Sequence, residues 1–177
     1  MSVRIGILGG TFNPVHAGHI GLALRAAREL RLDRVLVVPA SISPFKTPDR
    51  AAPPEGRSFS DGERWDLVCR ACAPHAPLLE PCRLELDRGG VSYAIDTVRA
   101  LRNALPEDAK LFFIVGEDAA DGLDKWKDIG RLRELCEFAV FPRTRESSTE
   151  IRRTLAAGGD VSGMMPPGVR PSPTTPA

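Results

Sequence analysis

The sequence predicts an α/β fold: one domain built on a doubly wound, mostly parallel sheet with helices on both faces. Three observations point there. Short apolar runs alternate with stretches whose apolar residues recur at helical spacing, the order a βαβ architecture requires. The apolar runs are nearly continuous, as strands covered on both faces must be. And 177 residues, 42% hydrophobic and 27% charged, suit a single domain with a sizeable core.

Taken in order, residues 3–8 read as a first buried strand, followed after a glycine-containing turn by a helix over 17–30. In that helix Ile20, Ala23, Leu24, Ala27 and Leu30 share one face, and Arg25, Arg28 and Glu29 the other. "RVLVVPA" is a second buried strand stopped by Pro39, and the proline-rich loop "ASISPFKTPDRAAPPEGRSF" leads to a helix over roughly 61–73. "LLEPCRLEL" predicts one or two short strands, and "SYAIDTVRALRNAL" an amphipathic helix. "AKLFFIVGED" is a strongly apolar strand that ends at a glycine and two acids. "IGRLRELCE" is helical, "FAVFP" a further strand, and "SSTEIRRTLAAGG" a helix opened by hydroxyls and closed by Gly158 and Gly159. The end, "MMPPGVRPSPTTPA", is proline-rich and predicts a frayed or disordered tail. In a sheet of this kind ligands bind beyond the carboxyl ends of the strands. The turn after the first strand, "VPASISPFK", "VGED" and "FPRTR" all fall there.

Composition narrows the function classes. A formal net charge of +1 provides no basic field for bulk nucleic-acid binding. No apolar run approaches the length of a membrane span, and "MSVRIGIL" reads as a strand rather than a signal peptide, so the expected compartment is the cytoplasm. Cys69 and Cys72 form a C-x-x-C, but the pair lies inside a helical pattern with no second pair or nearby histidines to complete a zinc site. Small thiols on a core-facing helix are the expected reading, with no protein metal site.

The chemistry concentrates in "ILGGTFNPVHAGHIGLAL". Two of the chain's three histidines, His16 and His19, stand three residues apart beside Gly18, just after Gly9 and Gly10. Glycines at a strand-to-helix turn let a ligand approach the backbone, and the helix start beyond offers N–H groups and a positive dipole end suited to phosphate. Two imidazoles on one turn share a face and can donate hydrogen bonds to phosphate oxygens as charge builds. Neither G-x-G-x-x-G nor G-x-x-x-x-G-K-[ST] is present, and two histidines alone are too few ligands for zinc.

"GGTFNPVHAGH" resembles the signature of the nucleotidyltransferase superfamily, whose core is T/H-x-G-H after a strand. In its fuller form it is similar to nicotinate mononucleotide adenylyltransferases. "ESSTEIRR" is similar to the superfamily's I-S-S-T-x-I-R motif, "GVSYAIDTVRAL" to an S-Y-T-x-D-T-L segment, and "FFIVGEDAADGLDKWKDI" to a G-x-D…W stretch. Only four residues separate "FAVFP" from Ser147, where the family carries a longer segment with a further strand. The resemblance covers about residues 3–168 with that internal gap.

The resemblance implies a Rossmann-like nucleotidyltransferase domain over 1–163, with residues 164–177 as a tail. Its activity would be transfer of AMP from ATP to nicotinate mononucleotide, giving the deamido dinucleotide and pyrophosphate. Gly9, Gly10, Thr11, Phe12, His16, His19, Ser147, Ser148, Thr149 and Arg152 would bind ATP, with His16, His19, Lys46 and Arg152 carrying the catalysis. Lys46, Tyr93, Ala94, Asp118, Trp126 and Arg143 would bind the mononucleotide. There the backbone at Tyr93 and Ala94 would read the nicotinate carboxylate, Asp118 a ribose hydroxyl, and Trp126 would stack on the pyridine ring. From the residues alone, Asp118 has a helix cap as its alternative reading, and Ser147 with Glu150 fits a capping box. Mg²⁺ would accompany ATP, held mainly by substrate and water. The partners implied are ATP and the mononucleotide, with no nucleic acid or membrane, and a homo-oligomer is left open. The alternatives are adenylyl transfer to nicotinamide mononucleotide or phosphopantetheine phosphate, or a non-catalytic nucleotide-binding module.

Overall fold

A computed structural model describes residues 2–45, 58–142 and 144–171. Strands β1 (Arg4–Gly10), β2 (Arg34–Pro39), β3 (Leu79–Pro81), β4 (Lys110–Gly116) and β5 (Glu137–Phe141) form one sheet in the order β3-β2-β1-β4-β5. Every pairing is parallel. Seven helices accompany them among the described residues: α1 (Ala17–Glu29), α2 (Asp61–Cys72), α3 (Leu84–Arg88), α4 (Ala94–Ala104), α5 (Glu117–Ala120), α6 (Ile129–Leu135) and α7 (Ser148–Ala156).

Strand alternation sends side chains to two separate cores. Val35, Val37, Phe112 and Ile114 point to one face, where α1, α2 and α7 contribute Ala23, Ala26, Leu67, Val68 and Ile151. Ile5, Ile7, Leu36, Val38, Leu111, Phe113 and Val115 point to the other, covered by Ile95, Val98 and Leu101 of α4 and Leu132 of α6. The period of two along each strand and the burial of both faces together explain the continuous apolar runs. Chain order reverses between β1, the central strand, and its neighbour β4, so a crevice opens at their carboxyl ends.

Four local expectations are corrected. Strand β1 runs on through both glycines, with Gly9 and Gly10 in register with Val38 and Pro39. "LLEPCRLEL" holds one three-residue strand, and its second half is helix α3, with Glu85 buried and hydrogen-bonded to Thr97. Ser147 takes the N-cap position of α7, but its side chain makes no capping bond. Lastly, residues 164–170 of the expected tail pack rather than fray. Val161, Met165 and Val169 are buried against the α1–α2–α7 core, and Met164 O accepts the amide of Ala17. Proline content alone predicted disorder from residue 164 on, but Met165 and Val169, four residues apart, found a face to cover.

Candidate functional site

The crevice at the switch point is a cavity of about 800 Å³, within the range of small-molecule sites. Its walls come from the end of β1, the start of α1, the end of β4, the loop after β2, the start of α4, and the connection from β5 to α7.

The turn 11–16 between β1 and α1 is held from several sides. Buried Arg64 of α2 donates from Nη1 to Thr11 O at 2.5 Å and from Nη2 to Asp61 at 2.7 Å. Asn13 Oδ1 accepts the Phe59 amide, Arg152 Nη1 donates to Asn13 O at 2.7 Å, and Ser148 Oγ donates to Pro14 O at 2.9 Å. Phe12 takes φ +47°, a region few bulky residues occupy, with its ring buried edge-on to His19. A Cβ on Gly10 would come within 3.0 Å of that ring, so packing needs this glycine as well as ligand access.

The two histidines form a reciprocal cap. The His16 amide donates to His19 Nδ1 at 3.2 Å, and the His19 amide donates to His16 Nδ1 at 3.4 Å. The rings stack with centroids 3.6 Å apart, and both line the cavity. Because each Nδ1 accepts a backbone N–H, each ring carries its proton on Nε2 and is neutral. Burial drives the same way, pushing His16 down to about 4 against the opposing pull of Glu146. His19 is held well below the usual histidine range by burial and then by His16.

The opposite end is aromatic. Trp126 is half-buried and meets Phe113, Phe138 and Phe45 with centroids 5.5, 6.0 and 5.9 Å away. Helix α4 starts at Ala94 with no side-chain cap on Tyr93, so its first amides face this end. Asp118 is exposed in α5 at the tip of β4.

The cavity thus gathers Gly9, Gly10, Thr11, His16, His19, Ser147, Ser148, Tyr93, Ala94, Asp118 and Trp126. Phe12, Thr149 and Arg152 are not on its wall. Arg152, expected at the phosphates, is 7% exposed and engages Asn13 O and Thr149 Oγ1, supporting the turn from behind. Lys46 and Arg143 lie outside the described residues. Residues that sequence reasoning missed are Phe113, Glu85, Ser92, Thr144 and Glu146 on the wall, and Arg64 beneath the turn. Only the G-x-D…W spacing, which puts Phe113 on the same strand end as Asp118, hinted at any of them.

Burial holds both thiols of the C-x-x-C in their protonated form. Cys72 is buried in the core and its thiol is pushed up to about 12 by burial, while the half-buried Cys69 is also raised. At neutral pH neither is a thiolate ligand or nucleophile.

The cytidylyltransferase-like family pattern matches residues 7–165. A Thermus thermophilus protein described as a probable nicotinate-nucleotide adenylyltransferase is 38% identical over 183 positions, covering 93% of this chain and 92% of that protein. Proteins of the same description from Shouchella clausii and Clavibacter michiganensis are 39% and 36% identical. Those matches cover 82% and 84% of this chain, and 71% and 68% of the relatives. The Thermus alignment is longer than the whole chain, so that relative carries positions this chain lacks. A Vibrio parahaemolyticus crystal structure assigned to the same activity superposes with a TM-score of 0.71 at 20% identity, over 94% of this chain and 96% of that one. That likeness supports the fold.

Proposed function

Because the chain belongs to the cytidylyltransferase-like family, we propose that it transfers AMP from ATP to nicotinate mononucleotide, releasing pyrophosphate. A 5′-phosphate oxygen of the mononucleotide attacks the α-phosphorus of ATP. The new P–O bond forms as the bond to the β-phosphate oxygen breaks, and pyrophosphate leaves with the electron pair. The attacking group is already an anion, so no protein nucleophile is required. Catalysis is positioning plus stabilisation of charge on the phosphoryl oxygens.

The observation that carries this reading is the reciprocal histidine cap. With both Nδ1 atoms engaged by backbone, two Nε2–H donors are left in a fixed pair at the cavity wall, needing no reorganisation when charge develops. Gly9, Gly10 and Thr11 give the phosphates their backbone floor, and Ser147 and Ser148 line the second helix start. Arg152 acts through the turn it props, as Arg64 does. Lys46 and Arg143 add positive charge. At the aromatic end Trp126 and Phe113 receive the pyridine ring, the α4 start its carboxylate, and Asp118 a ribose hydroxyl.

Nucleotidyltransferases typically take ATP with a divalent metal, and Mg²⁺ suits this one. Among the described residues no group of three or more His, Cys, Asp or Glu side chains gathers for an ion. That donor set fits a cation brought in on phosphate oxygens and water, neutralising triphosphate charge. Among the described residues no helix is long and apolar enough to cross a membrane, and a cytoplasmic enzyme fits the free thiols.

The test is pyrophosphate release from ATP and Mg²⁺ with each acceptor in turn. Release with nicotinate mononucleotide, and little with its amide or phosphopantetheine phosphate, is the expected result. Saturable ATP binding without release from any acceptor would instead mean a non-catalytic module.

A further inference from the structure

Ahead of α7, Thr144 and Glu146 line the cavity and lie against Gly18 in the first turn of α1. A Cβ added to Gly18 would lie 2.2 Å from Thr144 Oγ1 and 2.8 Å from Glu146 Oε2. Glu146 is therefore pressed against the glycine between the two histidines, on a wall shared with Ser147 and Ser148 at the start of α7. Among the described residues its carboxylate has no hydrogen-bond or ion-pair partner, and its charge is felt at His16. Two other carboxylates line the cavity. Glu85 is buried and accepts from Thr97 Oγ1 at 2.5 Å, and Asp118 stands at the tip of β4.

A fixed negative charge between two helix starts runs against the rest of this end, whose dipoles and N–H donors favour anions. A triphosphate seated beside it meets Coulomb repulsion, and a divalent cation between the two oxygens reverses the sign. Mg²⁺ in nucleotide sites commonly takes one or two carboxylates together with phosphate oxygens. One carboxylate is too few to hold the ion by itself, so the cation arrives with the nucleotide.

We propose that Glu146 is the protein's carboxylate ligand for the divalent cation accompanying the triphosphate, and that it makes metal-free nucleotide a poor ligand. The proposal rests on ATP being the substrate. It does not depend on which acceptor is used.

Binding measured without any acceptor tests it. ATP with Mg²⁺ and ATP with EDTA are titrated calorimetrically into the full chain and into Glu146→Gln and Glu146→Asp. The expected result is a wild-type preference for the Mg²⁺ complex that shrinks by about tenfold or more in Glu146→Gln, the scale of one charged contact. Metal-free ATP should bind that variant more tightly than wild type, a gain that a misfolded protein does not produce. Glu146→Asp should keep much of the preference. An unchanged preference in Glu146→Gln overturns the proposal, as does loss of both nucleotide forms together in a folded variant. A wild-type chain that shows the Glu146-dependent preference yet makes no dinucleotide from nicotinate mononucleotide would remove the acceptor assignment and leave this inference standing.

Discussion

The two ends of the cavity are built on opposite principles. At the β1–α1 end the functional groups are backbone amides and imidazoles, each held by named hydrogen bonds: Arg64 to Thr11, Arg152 to Asn13, Ser148 to Pro14, and the histidines to each other. At the β4–β5 end they are ring faces, with Trp126 held by contacts to Phe45, Phe113 and Phe138. The difference matches the chemistry proposed for each end. Charge developing on phosphoryl oxygens rewards donors that are already aimed, whereas a flat ring rewards area and tolerates small shifts. Mutations at the first end should therefore cost turnover, and at the second affinity.

The sharpest break of that contrast is His19→Ala. It should lower kcat about 10²–10³-fold, the scale of losing one preorganised donor, with a smaller change in KM. A folded variant with near wild-type turnover would take the pair out of the mechanism. Acid provides the next effect. His16 binds its proton less readily folded, at about 4, than unfolded, near 6.5, so the unfolded chain gains protons first. Stability should be full above about 6.5 and fall as the pH drops towards about 4, by on the order of 3 kcal/mol from this residue. Urea midpoints across that window, flattened in His16→Asn, would check it. Arg64→Met comes third: leaving Thr11 O without its donor should cost about 1–3 kcal/mol and lower kcat with it. Equal loss of kcat in Trp126→Ala would blur the two ends. The expected outcome there is a KM for the mononucleotide raised about 3–10-fold at unchanged kcat, worth about 0.5–1.5 kcal/mol of ring contact.

Much of this was readable from residues in a line. The parallel sheet followed from continuous apolar runs alternating with helical periodicity, and Cys72 from its place in the α2 pattern. The turn, the histidine pair, Ser147–Ser148, Tyr93–Ala94 and Trp126 were picked out one motif at a time, and the fold brings them to one cavity. The readings that failed share a cause. Residues 164–170 looked like part of a tail because proline reports local disorder, yet Met165 and Val169 bury against the α1–α2–α7 core, a partner the local sequence cannot name. Ser147 and Glu150 have the spacing of a capping box, yet Ser147 makes no side-chain capping bond at the start of α7.

Local sequence determined which segments are strands and helices, and where phosphate-friendly turns lie, because periodicity and glycine–histidine spacing are properties of neighbours along the chain. Tertiary structure alone decided the direction of each long polar side chain. Arg152 turned to the Asn13 carbonyl, Arg64 to the Thr11 carbonyl, and Glu146 came to rest on Gly18. Those choices depend on which buried carbonyl or amide still needs a partner, and that is settled only when distant segments meet.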